Sequence, residues 1–149
     1  MKRNRTTLFV VTLLCLAALL LSACGSTDKG PVTLTVNGLV NKEFQLTDAQ
    51  LHKMTAVTLT LEHPKNGPTE YTGVRLNDIL SEAGIKSGAA TVTLTASDGF
   101  SNDLDLATIQ ACTDCLVAFD SGTTGVYNAA MPDQSSKAWV KQLITITVK

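Results

Sequence analysis

The chain has 149 residues, 44% of them hydrophobic, 17% charged and 5% aromatic, with a formal net charge of −1. That length suits one domain, the charge balance excludes a polybasic nucleic-acid binder, and the hydrophobic content excludes wholesale disorder. The positive mean hydropathy of +0.16 owes much to one N-terminal stretch. Lys2, Arg3 and Arg5 precede a run from Leu8 to Leu21 that contains no charge. Fourteen helical residues rise only about 21 Å, short of the ~30 Å hydrocarbon core. The run therefore reads as the apolar segment of a signal peptide over residues 1–23, not as a membrane span.

Leu21-Ser22-Ala23-Cys24 follows at once and resembles the lipobox of bacterial lipoproteins. The resemblance implies a thioether from Cys24 to diacylglycerol, cleavage before that cysteine, and fatty acylation, such as palmitate, of the new amino terminus. Several acyl chains, at ~0.8 kcal/mol per buried CH₂, anchor a protein permanently. The expected location is the outer face of the cytoplasmic membrane or the outer membrane. Residues 24–31 form a short tether reaching at most ~25 Å, which holds the domain of residues 32–149 close to the bilayer. Without Lys2, Arg3 and Arg5, nine basic residues face 13 acidic ones, so the mature domain gains nothing from an anionic surface. Membrane lipid is the expected partner through Cys24, and nucleic acid is not.

From Val32 the chain shows no repeats or low-complexity tracts. Val32, Leu34 and Val36 alternate with threonines, the period-2 pattern of a half-buried strand. Asn37-Gly38 signals a tight turn, with Phe44 and Leu46 on the return strand. Thr47-Asp48-Ala49-Gln50 has capping-box spacing and predicts a short helix through Lys53. Val57, Leu59 and Leu61 alternate in the next strand, and His63 to Thr72, with Pro64, Asn66-Gly67 and Pro68, reads as a loop. Asn77 is placed to cap a helix with an apolar face of Ile79, Leu80 and Ala83, stopped by Gly84. Val92, Leu94 and Ala96 form another strand turned by Asp98-Gly99. A short helix near Leu106 to Ala111 leads into an apolar run, Leu116 to Phe119, and Leu143 to Val148 alternates again. Thr-rich strands with two or three short helices make the fold class α+β, a sheet-dominated sandwich or partial barrel.

Cys112 and Cys115 have C-x-x-C spacing in a chain read as exported, where oxidising conditions favour a bond. Three readings stay open: a short structural disulfide, a thiol-disulfide redox motif, and part of a metal site. A redox motif sits after a strand at a helix N-terminus, whereas here a helix precedes Cys112 and a strand follows Cys115. A metal needs further ligands, and His52 and His63 are few. Asp98, Asp103 and Asp105 cluster near a turn without the spacing or terminal glutamate of a calcium loop, and read as solvated turn residues.

Tyr71-Thr72-Gly73-Val74-Arg75-Leu76-Asn77-Asp78-Ile79-Leu80, then Ala83-Gly84-Ile85, resembles the molybdopterin-binding domain of the sulfite oxidase family. The likeness continues through Ala96-Ser97-Asp98-Gly99-Phe100 and Leu116-Val117-Ala118-Phe119, and ends at Pro132 and Trp139-Val140-Lys141-Gln142-Leu143. It implies that family's mixed α+β fold, with a pterin cofactor held in a cleft by loops. The family's metal-ligating cysteine usually stands in a segment like L-E-C-x-x-N-G. Here the segment is Leu61-Glu62-His63-Pro64-Lys65-Asn66-Gly67, so His63 occupies the ligand position. A neutral imidazole suits a soft, high-valent metal less well than a thiolate. The family's His-Gly and Pro-x-Arg stretch is replaced by Thr123-Thr124-Gly125-Val126-Tyr127-Asn128. Lys141 matches a lysine near the cofactor phosphate, while the basic position three residues earlier is Ala138, with Lys137 one place off.

The resemblance thus implies a family scaffold without the family's reaction: a lipid-anchored binding or accessory module at the cell envelope, with no catalytic residues and no metal ligand. Its expected surface is the degenerate cleft, with Asn66, Ser135, Ser136, Lys137 and Lys141 as ligand-binding residues beside His63, Asp98, Phe100 and Asn128. The partner is a small molecule or an envelope protein. No cofactor is expected, molybdopterin being the one the resemblance implies. Two alternatives stand beside this reading: a molybdopterin-dependent oxidoreductase with altered metal ligation, and a thiol-disulfide redox protein acting through Cys112 and Cys115.

Overall fold

A computed structural model describes residues 30–149. The expected signal peptide, Cys24 and most of the expected tether lie outside the described residues. Nine strands and three short helices follow in order: β1 (Val32–Gly38), β2 (Phe44–Thr47), α1 (Asp48–Leu51), β3 (Ala56–His63), β4 (Gly67–Arg75), α2 (Leu76–Ala83), β5 (Thr91–Ala96), β6 (Ser101–Asp105), α3 (Leu106–Ala111), β7 (Leu116–Phe119), β8 (Tyr127–Ala130) and β9 (Leu143–Val148). They build two sheets, one ordered β2-β1-β9-β5-β6 and the other β3-β4-β7-β8. The α+β expectation holds. None of the described helices is long and apolar enough to cross a membrane.

Alternation decides which face of each strand is buried. In β1, Leu34 and Val36 are fully buried while Thr33 and Thr35, which alternate with them, are half-buried. In β9, Ile146 and Val148 join the same core, and Val92 and Leu94 reach it from β5. The second sheet contributes Leu61, Val74, Val117 and Ala129, so both sheets share one core cluster. The strands pair antiparallel except β1 and β9, which run parallel from Thr35↔Thr145 to Gly38↔Val148.

The helices sit where the sequence places them, with two corrections. Thr47 caps α1 through a reciprocal box with Gln50, but regular helix ends at Leu51 instead of reaching Lys53. The N-cap of α2 is Arg75, without a side-chain cap bond. Asn77 lies inside the helix and spends its amide elsewhere, donating Nδ2–H to the carbonyls of Gln110 and Cys112. Gly84 stops α2 as expected, at φ 67°.

Two segments read as loop or turn, and a third for which the sequence predicts no element, are strand. The expected loop His63–Thr72 is a hairpin whose turn is only Pro64-Lys65-Asn66, since His63 pairs with Gly67 and β4 begins there. Pro68 is tolerated because β7 pairs only with Gly73 to Arg75, leaving the first half of β4 with one unpaired edge. Asp103 and Asp105 belong to β6, an edge strand whose register with β5 runs from Thr91↔Asp105 to Thr95↔Ser101. The buried Thr93 hydroxyl donates to Asp103 Oδ1 at 2.5 Å, so Asp103 is solvated as expected but sits in a strand ladder and not in a turn. The third segment, Tyr127–Ala130, forms β8 against β7. The Asn37-Gly38 turn is also looser than a two-residue hairpin: Gly38 takes φ 95°, and Leu39 to Glu43 complete the connection.

Candidate functional site

A cleft of about 430 Å³ opens at the end of the β3–β4 hairpin. One wall is aromatic. On the paired strands, His63 and Tyr71 share a face with Leu59 and Leu61, and both rings turn toward Trp139. The His63 and Trp139 centroids are 4.6 Å apart at 65°, and those of Tyr71 and Trp139 are 5.4 Å apart at 54°. Such tilted arrangements suit ring quadrupoles. Trp139 is 8% exposed, and its indole Nε1 is buried without a hydrogen-bond partner among the described residues.

The hairpin turn fixes His63. The backbone N–H groups of Lys65 and Asn66 both donate to its Nδ1, at 3.1 and 3.2 Å. A nitrogen that accepts carries a lone pair, so the hydrogen of this imidazole is on Nε2. The turn forms because Gly67 accepts φ 71° at the start of β4, a conformation that L side chains rarely adopt.

The opposite wall is polar. Asp120, just after β7, accepts from the Gly122 N–H at 2.9 Å through Oδ1 and from Asn128 Nδ2–H at 3.2 Å through Oδ2. Asn128, on β8, uses its Oδ1 to accept the Gln142 N–H at 3.0 Å. Gln142 Oε1 in turn accepts from the Ser97 hydroxyl at 2.6 Å. These bonds hold Gln142 in the left-handed region at φ 50°, an uncommon state for a non-glycine residue. The Gly122 N–H, the Asn128 amide, the Thr123 backbone and the Lys141 charge keep the Asp120 carboxyl below the usual aspartate value, more than offsetting its partial desolvation. Lys141, exposed at the mouth, makes no ion pair within 4.0 Å among the described residues.

Of the residues expected at this surface, His63, Asn66, Asn128 and Lys141 do line the cleft. Asp98 and Phe100 do not; they form the β5–β6 turn, where Asp98 Oδ1 accepts the Phe100 N–H at 2.9 Å. Ser135, Ser136 and Lys137 are also absent from the lining. They form the turn before Trp139, where the Ser135 carbonyl accepts the Ala138 N–H at 2.9 Å. Asp120 and Gln142 were not expected there, and no local sequence pattern marks them, because their roles depend on β8 lying beside the last loop.

Cys112 and Cys115 are disulfide-bonded, with Cα atoms 5.6 Å apart. The pair follows the C-terminus of α3 and does not line the cleft. Its loop is clamped to the start of α2. Arg75 donates to the Thr113 carbonyl and to Asp114 Oδ1, Asn77 donates to the Cys112 carbonyl at 3.0 Å, and the Leu76 N–H donates to the Cys115 carbonyl at 2.8 Å. Among the described residues, no three His, Cys, Asp or Glu side chains gather as a metal-binding group.

The family model of the oxidoreductase molybdopterin binding domain matches residues 24–123. The matched span contains the aromatic hairpin and Asp120, and stops before Asn128, Trp139 and Lys141. No curated protein matches the chain. Among solved structures, the sulfane dehydrogenase SoxCD from Paracoccus pantotrophus is similar, with a TM-score of 0.65 at 19% identity over 77% of this chain. That likeness is one of fold. This chain spans 37% of the length of the SoxCD chain.

Proposed function

The chain belongs to the oxidoreductase molybdopterin binding domain family, and from that premise we propose that it is a lipid-anchored, non-catalytic binding module of that fold, displayed at the cell envelope. The observation that carries the non-catalytic part is the state of His63. It stands where the resemblance puts the metal-ligating thiolate, yet two backbone N–H groups occupy its Nδ1 lone pair and its Nε2 bears the hydrogen. Neither ring nitrogen of this tautomer offers a free lone pair to a metal. The disulfide-bonded Cys112 and Cys115 lie outside the cleft and offer it no thiolate.

The charges of the cleft support the same reading. A pterin phosphate carries two negative charges and needs matched cationic donors when it leaves water. The lining supplies one lysine, Lys141, and sets the ionised Asp120 in the same cleft. The residues present therefore do not fit the metal-pterin group of the family. A fold persists more readily than the chemistry grafted on it.

Anchoring rests on the charge-free run Leu8–Leu21 and on Leu21-Ser22-Ala23-Cys24. The test is one preparation of the full chain, purified from membranes of a host that makes the cofactor. Expected are incorporation of a labelled palmitate analogue that Cys24→Ala abolishes, molybdenum far below one atom per chain, and no pterin fluorescence after denaturation. Stoichiometric molybdenum with pterin would overturn the non-catalytic reading, and unchanged labelling in Cys24→Ala would overturn the anchor.

A further inference from the structure

We infer that the cleft takes a small organic monocarboxylate with a planar, apolar body, its carboxylate on Lys141 and its body against the rings of Trp139 and Tyr71. The inference rests on the reading of this cleft as a binding site free of the family's cofactor. It starts from which polar groups of the lining are already used. Both oxygens of Asp120 accept hydrogen bonds, as do Asn128 Oδ1 and Gln142 Oε1. Among the described residues, the charged group of the lining that makes no hydrogen bond or ion pair is Lys141 Nζ. A cleft whose carboxylate is already hydrogen-bonded and whose ammonium is unpaired selects a ligand that brings an anionic acceptor.

Charge narrows the class. Lys141 supplies one positive charge, and Asp120 stays ionised in the same lining. One negative charge on the ligand is met by Lys141, while a second would face Asp120 without a counterion. The remaining wall is aromatic, and about 430 Å³ is within the range of small-molecule pockets. A flat body lies against such rings with favourable offset or edge contacts.

The test uses the full chain in detergent micelles and three probes: benzoate, benzyl alcohol and phenyl phosphate. Trp139 is the single tryptophan of the sequence, so intrinsic fluorescence reports on the cleft directly. Benzoate is expected to change that fluorescence saturably, with affinity roughly tenfold or more above either control, as loss of a charged hydrogen bond predicts. Lys141→Met should weaken benzoate by a similar factor with an unchanged far-UV spectrum, and Asp120→Asn should improve phenyl phosphate relative to benzoate. A linear, unsaturable benzoate response, equal binding of benzyl alcohol, or a Lys141→Met variant that binds as well as the parent would overturn the inference. Molybdenum and pterin are measured on the same sample. Their presence in stoichiometric amount sinks the parent reading whatever the titration shows, whereas cofactor-free protein that ignores benzoate sinks this inference alone.

Discussion

Tyr127 donates its phenolic hydrogen to Asp48 Oδ1 at 2.7 Å, joining the edge strand β8 of one sheet to the helix that follows the edge strand of the other. Thr33 Oγ1, on β1, lies 3.1 Å from the same hydroxyl. The ring is 1% exposed, so its hydroxyl has these protein partners in place of water. Tyr127→Phe removes the bond while leaving the packing, and is expected to cost about 1–2 kcal/mol in urea denaturation. A loss below a few tenths would mean that the two sheets do not depend on this link.

The same tyrosine predicts behaviour in base. Burial, aided by the Asp48 charge and only partly opposed by Thr33, pushes its pKa from 10.0 up to about 12. A raised folded value means that its contribution is complete below pH 10 and disappears as pH climbs through 12. In a Tyr71→Phe background Tyr127 is the only tyrosine, and its absorbance at phenolate wavelengths should rise near pH 12. A midpoint near 10 in protein that is still folded would contradict the buried hydroxyl.

In acid the sign reverses. The Thr93 hydroxyl, with Lys149 assisting, holds the Asp103 carboxyl below its ordinary value of 3.8 despite some desolvation. Asp120 is lowered by the Gly122 N–H and Asn128. Both groups therefore add stability above the ordinary aspartate range, and that share is lost as pH falls below about 3.8. Asp103→Asn should flatten the acid limb of a stability-against-pH curve and leave the neutral-to-alkaline part parallel to the parent. An unchanged acid limb would refute the assignment.

Gly73 is buried in β4 where β7 comes closest. A Cβ built there would lie 2.2 Å from the Val117 carbonyl oxygen and 2.6 Å from the Ala118 Cα. These are backbone atoms held in the ladder, so they cannot step aside. Gly73→Ala is expected to destabilise the domain by about 3 kcal/mol or more, read as a lower denaturation midpoint or loss of soluble protein. Wild-type stability would show that the two strands sit farther apart.

The Cys112–Cys115 bond closes a very short loop, so replacing both cysteines with alanine is expected to cost about 2 kcal/mol or less. Because the pair does not line the cleft, the native fluorescence of Trp139 should not change. A structural bond of this kind has a reduction potential below about −300 mV, and a much higher measured value would favour thiol exchange.

Strands with threonine–aliphatic alternation, such as β1, β3 and β9, were legible because each positions one apolar face on the core. The capping box of α1 and the Gly84 stop were legible because they are local chemistry. β6 was not: its only aliphatic residue is Leu104, and an edge strand needs little more. Pro68 obscured the first half of β4, since a proline signals interruption unless the neighbouring edge is known to be empty. Four of the eleven residues lining the cleft followed from the resemblance: His63, Asn66, Asn128 and Lys141. Asp120 escaped notice because its partners are a turn two residues ahead and an asparagine on a strand that the sequence did not reveal.

The parallel pairing of β1 with β9 has a kinetic meaning. β9 lies between β1 and β5, so the five-stranded sheet exists only once residues 143–148 have been made. Without them no ladder joins β1–β2 to β5–β6, because β1 and β5 each pair with β9 and not with one another. Folding of this domain is thus deferred until that strand is available, and a chain truncated before Leu143 should stay open to proteases.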